Sequence, residues 1–183
     1  MRNLFIGFLL IFLDFNLNLN SITIGLIPDF IGYIFMIKGL DELSGEAGSF
    51  ARIRPFAVGM GIYSAVLYAL DLFGISVQLG IIGVLMGVAG LVISLYIAYV
   101  IIKGVQELEA LHSASLESEK LRSTWTVMAV GQAAAYLTIF LPVLAIICIL
   151  VCFVAAIVFL VAFNTSKKLY EALLKTKGPE LEF

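Results

Sequence analysis

The sequence predicts an all-α integral membrane bundle of about six transmembrane helices, with a short first helix and both termini in the cytoplasm. Three observations predict it. The first is composition: hydrophobic residues make up 62% of the 183-residue chain and charged residues 13%, against about 45–50% and about 25% in soluble domains. With a mean hydropathy of +1.10, a fold in water would lack the polar side chains to cover its surface, whereas a bilayer acts as an apolar solvent.

The second observation is a run from Trp125 to Phe163 that holds no Lys, Arg, Asp or Glu in 39 residues. A single helix of that length would measure about 58 Å, nearly twice the hydrocarbon core. Two helices joined by a tight turn near Leu141-Pro142 fit instead.

The third is the placement of the basic residues: Arg2, Lys38, Arg52, Arg54, Lys103, Lys120, Arg122, Lys167, Lys168, Lys175 and Lys177. Six crossings put all of them on the side of the amino terminus, and none in the opposite turns at 16–27, 74–78 and 141–142. Basic residues collect on the cytoplasmic side, so both termini are expected there. Trp125 falls where an interfacial anchor belongs.

Taken in order, the expected segments form a single transmembrane domain over 1–183. Segment one covers 4–17. It follows Arg2 like a signal peptide, but Asp14-Phe15-Asn16 stands where small residues would mark cleavage, so it is read as retained. In Asn16-Leu17-Asn18-Leu19-Asn20 polar and apolar residues alternate, a pattern of extended chain. Segment two covers 28–40. Pro28 is suited to the first helical position, and Asp29 to the positive end of a helix. A polar loop over 41–55 leads to segment three (56–73), a short turn and segment four (79–102).

The charged stretch 103–123 reads as a cytoplasmic linker that extends this helix into water, breaks near Ser113–Ser115 and restarts. Segments five (124–140) and six (142–163) follow, then a cytoplasmic tail (164–183) whose helix stops at Gly178-Pro179.

Three carboxylates stand apart from the other acids. Asp14, Asp29 and Asp71 fall near the outer ends of segments one, two and three, where no Lys or Arg is placed to pair with them. Ionisable residues in membrane segments are candidate functional groups. With Asn16 and Asn18, and with Asn20 and Gln78 nearby, the three could form a cation or proton site. The plainer alternative is that these acids face water and Asp29 caps its helix. Gly80, Gly83, Gly87 and Gly90 line one face of segment four, a pattern that lets helices approach closely. The partner could be internal, with Gly59, Gly61, Ser64 and Ala65 of segment three as the facing surface. It could equally be a second copy or another membrane protein.

Other features read as structural. Cys148 and Cys152 share a helix face and suit packing as small apolar residues. Lys38 suits a side chain that snorkels to the interface. His112 lacks a second metal ligand at a useful spacing and reads as solvated, as does the face formed by Glu107, Glu109, Glu117 and Glu119. No phosphate loop or nucleophile elbow is present. No catalytic residue, metal ligand or cofactor is assigned, and a net charge of −2 without a basic cluster gives no sign of nucleic acid as a partner.

The stretch Leu26-Ile27-Pro28-Asp29-Phe30-Ile31-Gly32-Tyr33-Ile34, followed by Lys38-Gly39-Leu40, resembles a segment of small uncharacterised polytopic membrane proteins of anaerobic Gram-positive bacteria. The layout is similar across most of the chain. The resemblance implies a bacterial plasma membrane and brings no activity with it. Three functions are weighed: small-solute or cation transport, alone or as a transporter subunit; a non-catalytic membrane partner assembling through the segment-four glycines; and, ranked last, an intramembrane aspartyl hydrolase using two of the carboxylates.

Overall fold

The computed structural model describes residues 1–12, 16–19, 22–25, 28–74, 80–137 and 142–177. Six helices and one hairpin order the described chain: α1 (Arg2–Phe12), β1 (Asn16–Leu19), β2 (Ile22–Gly25), α2 (Asp29–Leu43), α3 (Gly48–Leu72), α4 (Gly80–His112), α5 (Ser118–Leu137) and α6 (Pro142–Lys177). Three of these helices are long and apolar enough to cross a bilayer, within Gly48–Leu72, Ile81–His112 and Ile146–Thr176, and they associate the chain with a membrane. Large apolar side chains project from all three, among them Ile62, Ile81 (78% exposed) and Phe153. Apolar exposure on this scale is untenable against water and natural against lipid.

The chain forms two compact units, Met1–Ile101 and Ile102–Phe183. In the first, α1, α2, α3 and the adjoining part of α4 alternate in direction. Leu4 of α1 abuts Gly39 of α2, and Ile11 abuts Gly32, so the two helices run antiparallel. Arg54 of α3 pairs with Asp41 of α2 while Phe30 meets Tyr68 edge-on, which reverses direction again. Phe56 against Tyr96 and Tyr63 against Met86 do the same for α3 and α4. Arg2, Lys38, Arg52 and Arg54 therefore gather at one end of this unit, and Asp29 and Asp71 lie at the other. Leu4, Phe8, Met36, Leu40, Phe50 and Ile53 form a buried core toward the basic end.

In the second unit α5 and α6 are antiparallel. Ser166 near the end of α6 donates its hydroxyl to the carbonyl of Leu116, just before α5, and Cys152 sits beside Gly131. Phe159, Ala162 and Phe163 of α6 are buried here, with Leu121 and Met128 of α5.

Several boundaries differ from those expected. The described helix of segment one covers Arg2–Phe12, and Leu17, expected to close it, lies in strand. Within the alternating run read as extended chain, Asn16–Leu19 is strand, with Asn16 opposite Gly25 and Asn18 opposite Thr23. The polar loop expected over 41–55 shrinks to residues 44–47 because α2 continues to Leu43 and α3 begins at Gly48, with Pro55 inside it. Pro28 stands at the cap position with φ −64° and ψ 133°, and Asp29 is the first helical residue. The charged stretch over 103–123 extends α4, breaks at 113–117, where Ser113 and Glu117 take left-handed backbone, and restarts as α5, in line with the sequence reading.

Candidate functional site

Asp29 opens α2 and is half-buried. One helical turn later on the same face comes Tyr33, which is buried. Its hydroxyl and that of Ser94 on α4 share a hydrogen bond of 2.8 Å. The Tyr33 Cβ also lies so near Gly61 of α3 that a methyl group there would come within 3.3 Å of it. Tyr33 is thus wedged between α3 and α4, and it ties the helix carrying Asp29 to both. Phe30 adds an edge-on contact to Tyr68, with ring centres 5.9 Å apart.

Asp71 lies in the last turn of α3 and is exposed. Its carbonyl accepts the N–H of Gly74 at 3.0 Å. Gly74 has φ +69°, the left-handed conformation that closes helices and that glycine adopts without steric cost. The Asp71 turn is therefore closed by ordinary helix termination.

The antiparallel order of α2 and α3 puts Asp29 and Asp71 at the same end of the first unit, and β2 lies against α3. Asn16 and Asn18 are in β1 of the hairpin; their side chains lie outside the described residues, as do Asp14, Asn20 and Gln78. Among the described residues no three His, Cys, Asp or Glu side chains gather in a way that could hold a metal ion.

The glycine face of α4 divides. Gly90 is buried, and a methyl group there would come 3.0 Å from the Tyr63 ring. The Tyr63 hydroxyl donates to the Met86 carbonyl at 2.7 Å, one turn earlier on α4. Gly90 thus meets a tyrosine of α3 rather than the small residues expected to face it. Gly87 is exposed and Gly83 half-exposed, flanked by the exposed side chains of Ile82, Val84 and Leu85. Gly80 begins the helix.

The tightest glycine contact is one that sequence reasoning missed. Gly7 of α1 faces Gly32 and Met36 of α2, and Gly39 faces Leu4. Gly7 stands in a different segment from Gly32 and Gly39, which are a full heptad apart. No short motif announces them. Tyr33 and Ser94 were missed for a similar reason, since only the fold brings them together.

Two readings of polar residues change. Glu109, expected on a solvated face, is half-buried and accepts hydrogen bonds from the backbone N–H groups of Leu116 at 2.6 Å and Ser118 at 3.1 Å, and from the Ser118 hydroxyl. His112, expected to be solvated, stands edge-on to Tyr170 with ring centres 6.2 Å apart, and its Nδ1 is 3.1 Å from the Leu108 carbonyl oxygen. Both are held by the fold of the second unit. Lys38 is exposed and its ammonium lies 5.7 Å from the centre of the Phe35 ring.

Comparison with known proteins finds no family model, no curated protein and no solved structure that matches the chain.

Proposed function

We propose that this is a multi-pass protein of a bacterial plasma membrane, a single transmembrane domain crossing six times with both termini cytoplasmic. In this reading it moves a small solute or cation, alone or as a subunit of a transporter. The observation that carries the proposal is the shortness of the first two described helices. The helix α1 has 11 residues and α2 has 15. At about 1.5 Å per residue they reach roughly 16 and 22 Å, less than the roughly 30 Å hydrocarbon core. Between them in the sequence stands a two-stranded hairpin with asparagines, and its β2 lies against α3. The free edges of such a hairpin cannot face lipid tails, so it belongs in water or along a wet cavity. Short or interrupted segments of this kind commonly border transport sites. The separation of charge in the first unit supports the same orientation, with basic residues inward and Asp29 and Asp71 outward.

Flux through proteoliposomes under an imposed Na⁺ or proton gradient tests the site. Asp29→Asn should lower it about tenfold, equivalent to about 1.4 kcal/mol at the rate-limiting step. Flux equal to that of the unaltered protein removes Asp29 from the pathway. Orientation is checked separately: single cysteines at Gly45 and Ala114 should both resist a membrane-impermeant thiol reagent in intact cells, and labelling of either one from outside sinks the six-crossing arrangement.

The exposed Gly87 and its apolar neighbours favour a second reading, a membrane partner that assembles through α4. Gly83→Leu with Gly87→Leu should then abolish co-purification of differently tagged copies or of a bound partner, and retained assembly counts against it.

A further inference from the structure

We infer that the groove between α3 and α4 holds one acyl chain of an anionic phospholipid, whose headgroup is bound at Arg52. The groove is an open cleft of about 500 Å³, within the size range of small-molecule sites. Its walls are Phe56, Gly59, Met60 and Tyr63 of α3 and Gly90 and Ile93 of α4. The two glycines form it. At Gly59 a methyl group would meet nothing within 4 Å, and at Gly90 only the Tyr63 ring lies close. The hydroxyl of Tyr63 is already committed to the Met86 carbonyl, so the cleft offers an apolar surface with no donor awaiting a polar ligand.

Charge identifies the occupant. Arg52 lies one helical turn before Phe56 on the same face of α3 and is exposed. Its neighbour Arg54 is held by Asp41, whereas Arg52 has no ion pair among the described residues. From Arg52 to Tyr63 the helix rises about 16 Å, the depth of one leaflet of a roughly 30 Å core. A cation at the interface and an apolar channel one leaflet deep match a single phospholipid lying along the helix pair, headgroup at the basic end. A basic residue near an anionic lipid surface contributes attraction that a zwitterionic headgroup does not return.

The inference rests on reading α3 and α4 as bilayer spans, and the test separates the two. The full chain is exchanged into micelles doped with phosphatidylglycerol or with phosphatidylcholine of the same chain length, and bound lipid is weighed by native mass spectrometry. The unaltered protein should hold one phosphatidylglycerol about fivefold more tightly than phosphatidylcholine. Arg52→Gln should erase that preference, and Gly59→Leu, which fills the cleft, should remove both adducts. If Gly59→Leu fails to fold, Ala89→Leu on the opposite wall serves the same purpose. Equal binding of the two lipids, or binding that survives the filled cleft, overturns the site. So does a Gly59-sensitive dimer without lipid mass, since a second copy would then occupy the groove. A protein that stays in the membrane pellet after alkaline extraction yet fails the lipid test loses the site and keeps its spans.

Discussion

Gly39→Ala is expected to destabilise the protein by about 2 kcal/mol, and Gly7→Leu to prevent recovery of folded protein. Alanine favours helix over glycine by about 1 kcal/mol, so the sign is set by what the added methyl group strikes. At Gly39 it would lie 2.6 Å from the backbone nitrogen of Leu4 and 2.7 Å from its Cγ. At Gly7 it would lie 2.9 Å from both the Gly32 carbonyl oxygen and the Met36 nitrogen. Backbone atoms cannot rotate away, so α1 must move off α2. Overpacking costs about 1–3 kcal/mol where side chains can adjust, and a rigid backbone neighbour puts this case at the upper end, leaving a net loss after the propensity gain. Gly59→Ala is the control: it has the same chemistry in an open position and should be neutral or stabilising by up to about 1 kcal/mol. Loss of the helical circular dichroism signal with added denaturant, in one detergent throughout, ranks the three proteins. A Gly39→Ala midpoint at or above that of Gly59→Ala would show that the two helices do not meet as closely as described.

The residues involved show what the sequence could and could not reveal. Hydropathy identified helices long and apolar enough to cross a bilayer because that property is summed over a window, and α3, α4 and α6 carry it without help from neighbours. Alternation at Asn16–Asn20 marked extended chain for the same reason: period two is local. That the helix of segment one does not reach Leu17 was not legible from hydropathy, because the run Leu4–Leu13 is apolar throughout and the strand at Asn16–Leu19 depends on its pairing with Ile22–Gly25. Glycines were legible as a face on α4, where they repeat within one helix. Which of them is covered depends on Tyr63, an aromatic from another helix that no small-residue rule would choose. Gly7, Gly32 and Gly39 had no pattern to read, being matched only across the α1–α2 crossing. Of the candidate acids, the alternation of helices puts Asp29 and Asp71 at one end of their unit, while their reach toward each other depends on side-chain positions that spacing along the chain does not encode.

Glu109→Ala should cost about 2–3 kcal/mol and expose the 113–117 turn to protease, a larger effect than a surface glutamate would show. The carboxylate stands at the end of α4, where a negative charge is poorly placed relative to its own helix, and at the start of α5, where it is well placed. It accepts from two backbone N–H groups and one hydroxyl. Hydrogen bonds to a charged group contribute about 1.5–3 kcal/mol, and removing the acceptor leaves the donors to find water in a half-buried turn. The turn has few other supports. Ser113 and Glu117 hold left-handed backbone at φ 50° and 59°, a conformation that costs a residue other than glycine roughly 1–2 kcal/mol. The Lys120–Glu117 ion pair is exposed on both sides, and such pairs contribute little. The turn's other anchors are the Ala114 N–H on the Glu109 carbonyl, the buried Leu116 side chain and the Ser166 hydroxyl of α6 on the Leu116 carbonyl. Glu109→Gln keeps one acceptor oxygen and should lose about half as much. In a double-mutant cycle, Glu109→Ala and Ser118→Ala should be less than additive, because both delete the same bond. Additive losses, or a turn no more readily cleaved in Glu109→Ala than in the unaltered chain, would return Glu109 to the solvated face on which the sequence alone would place it.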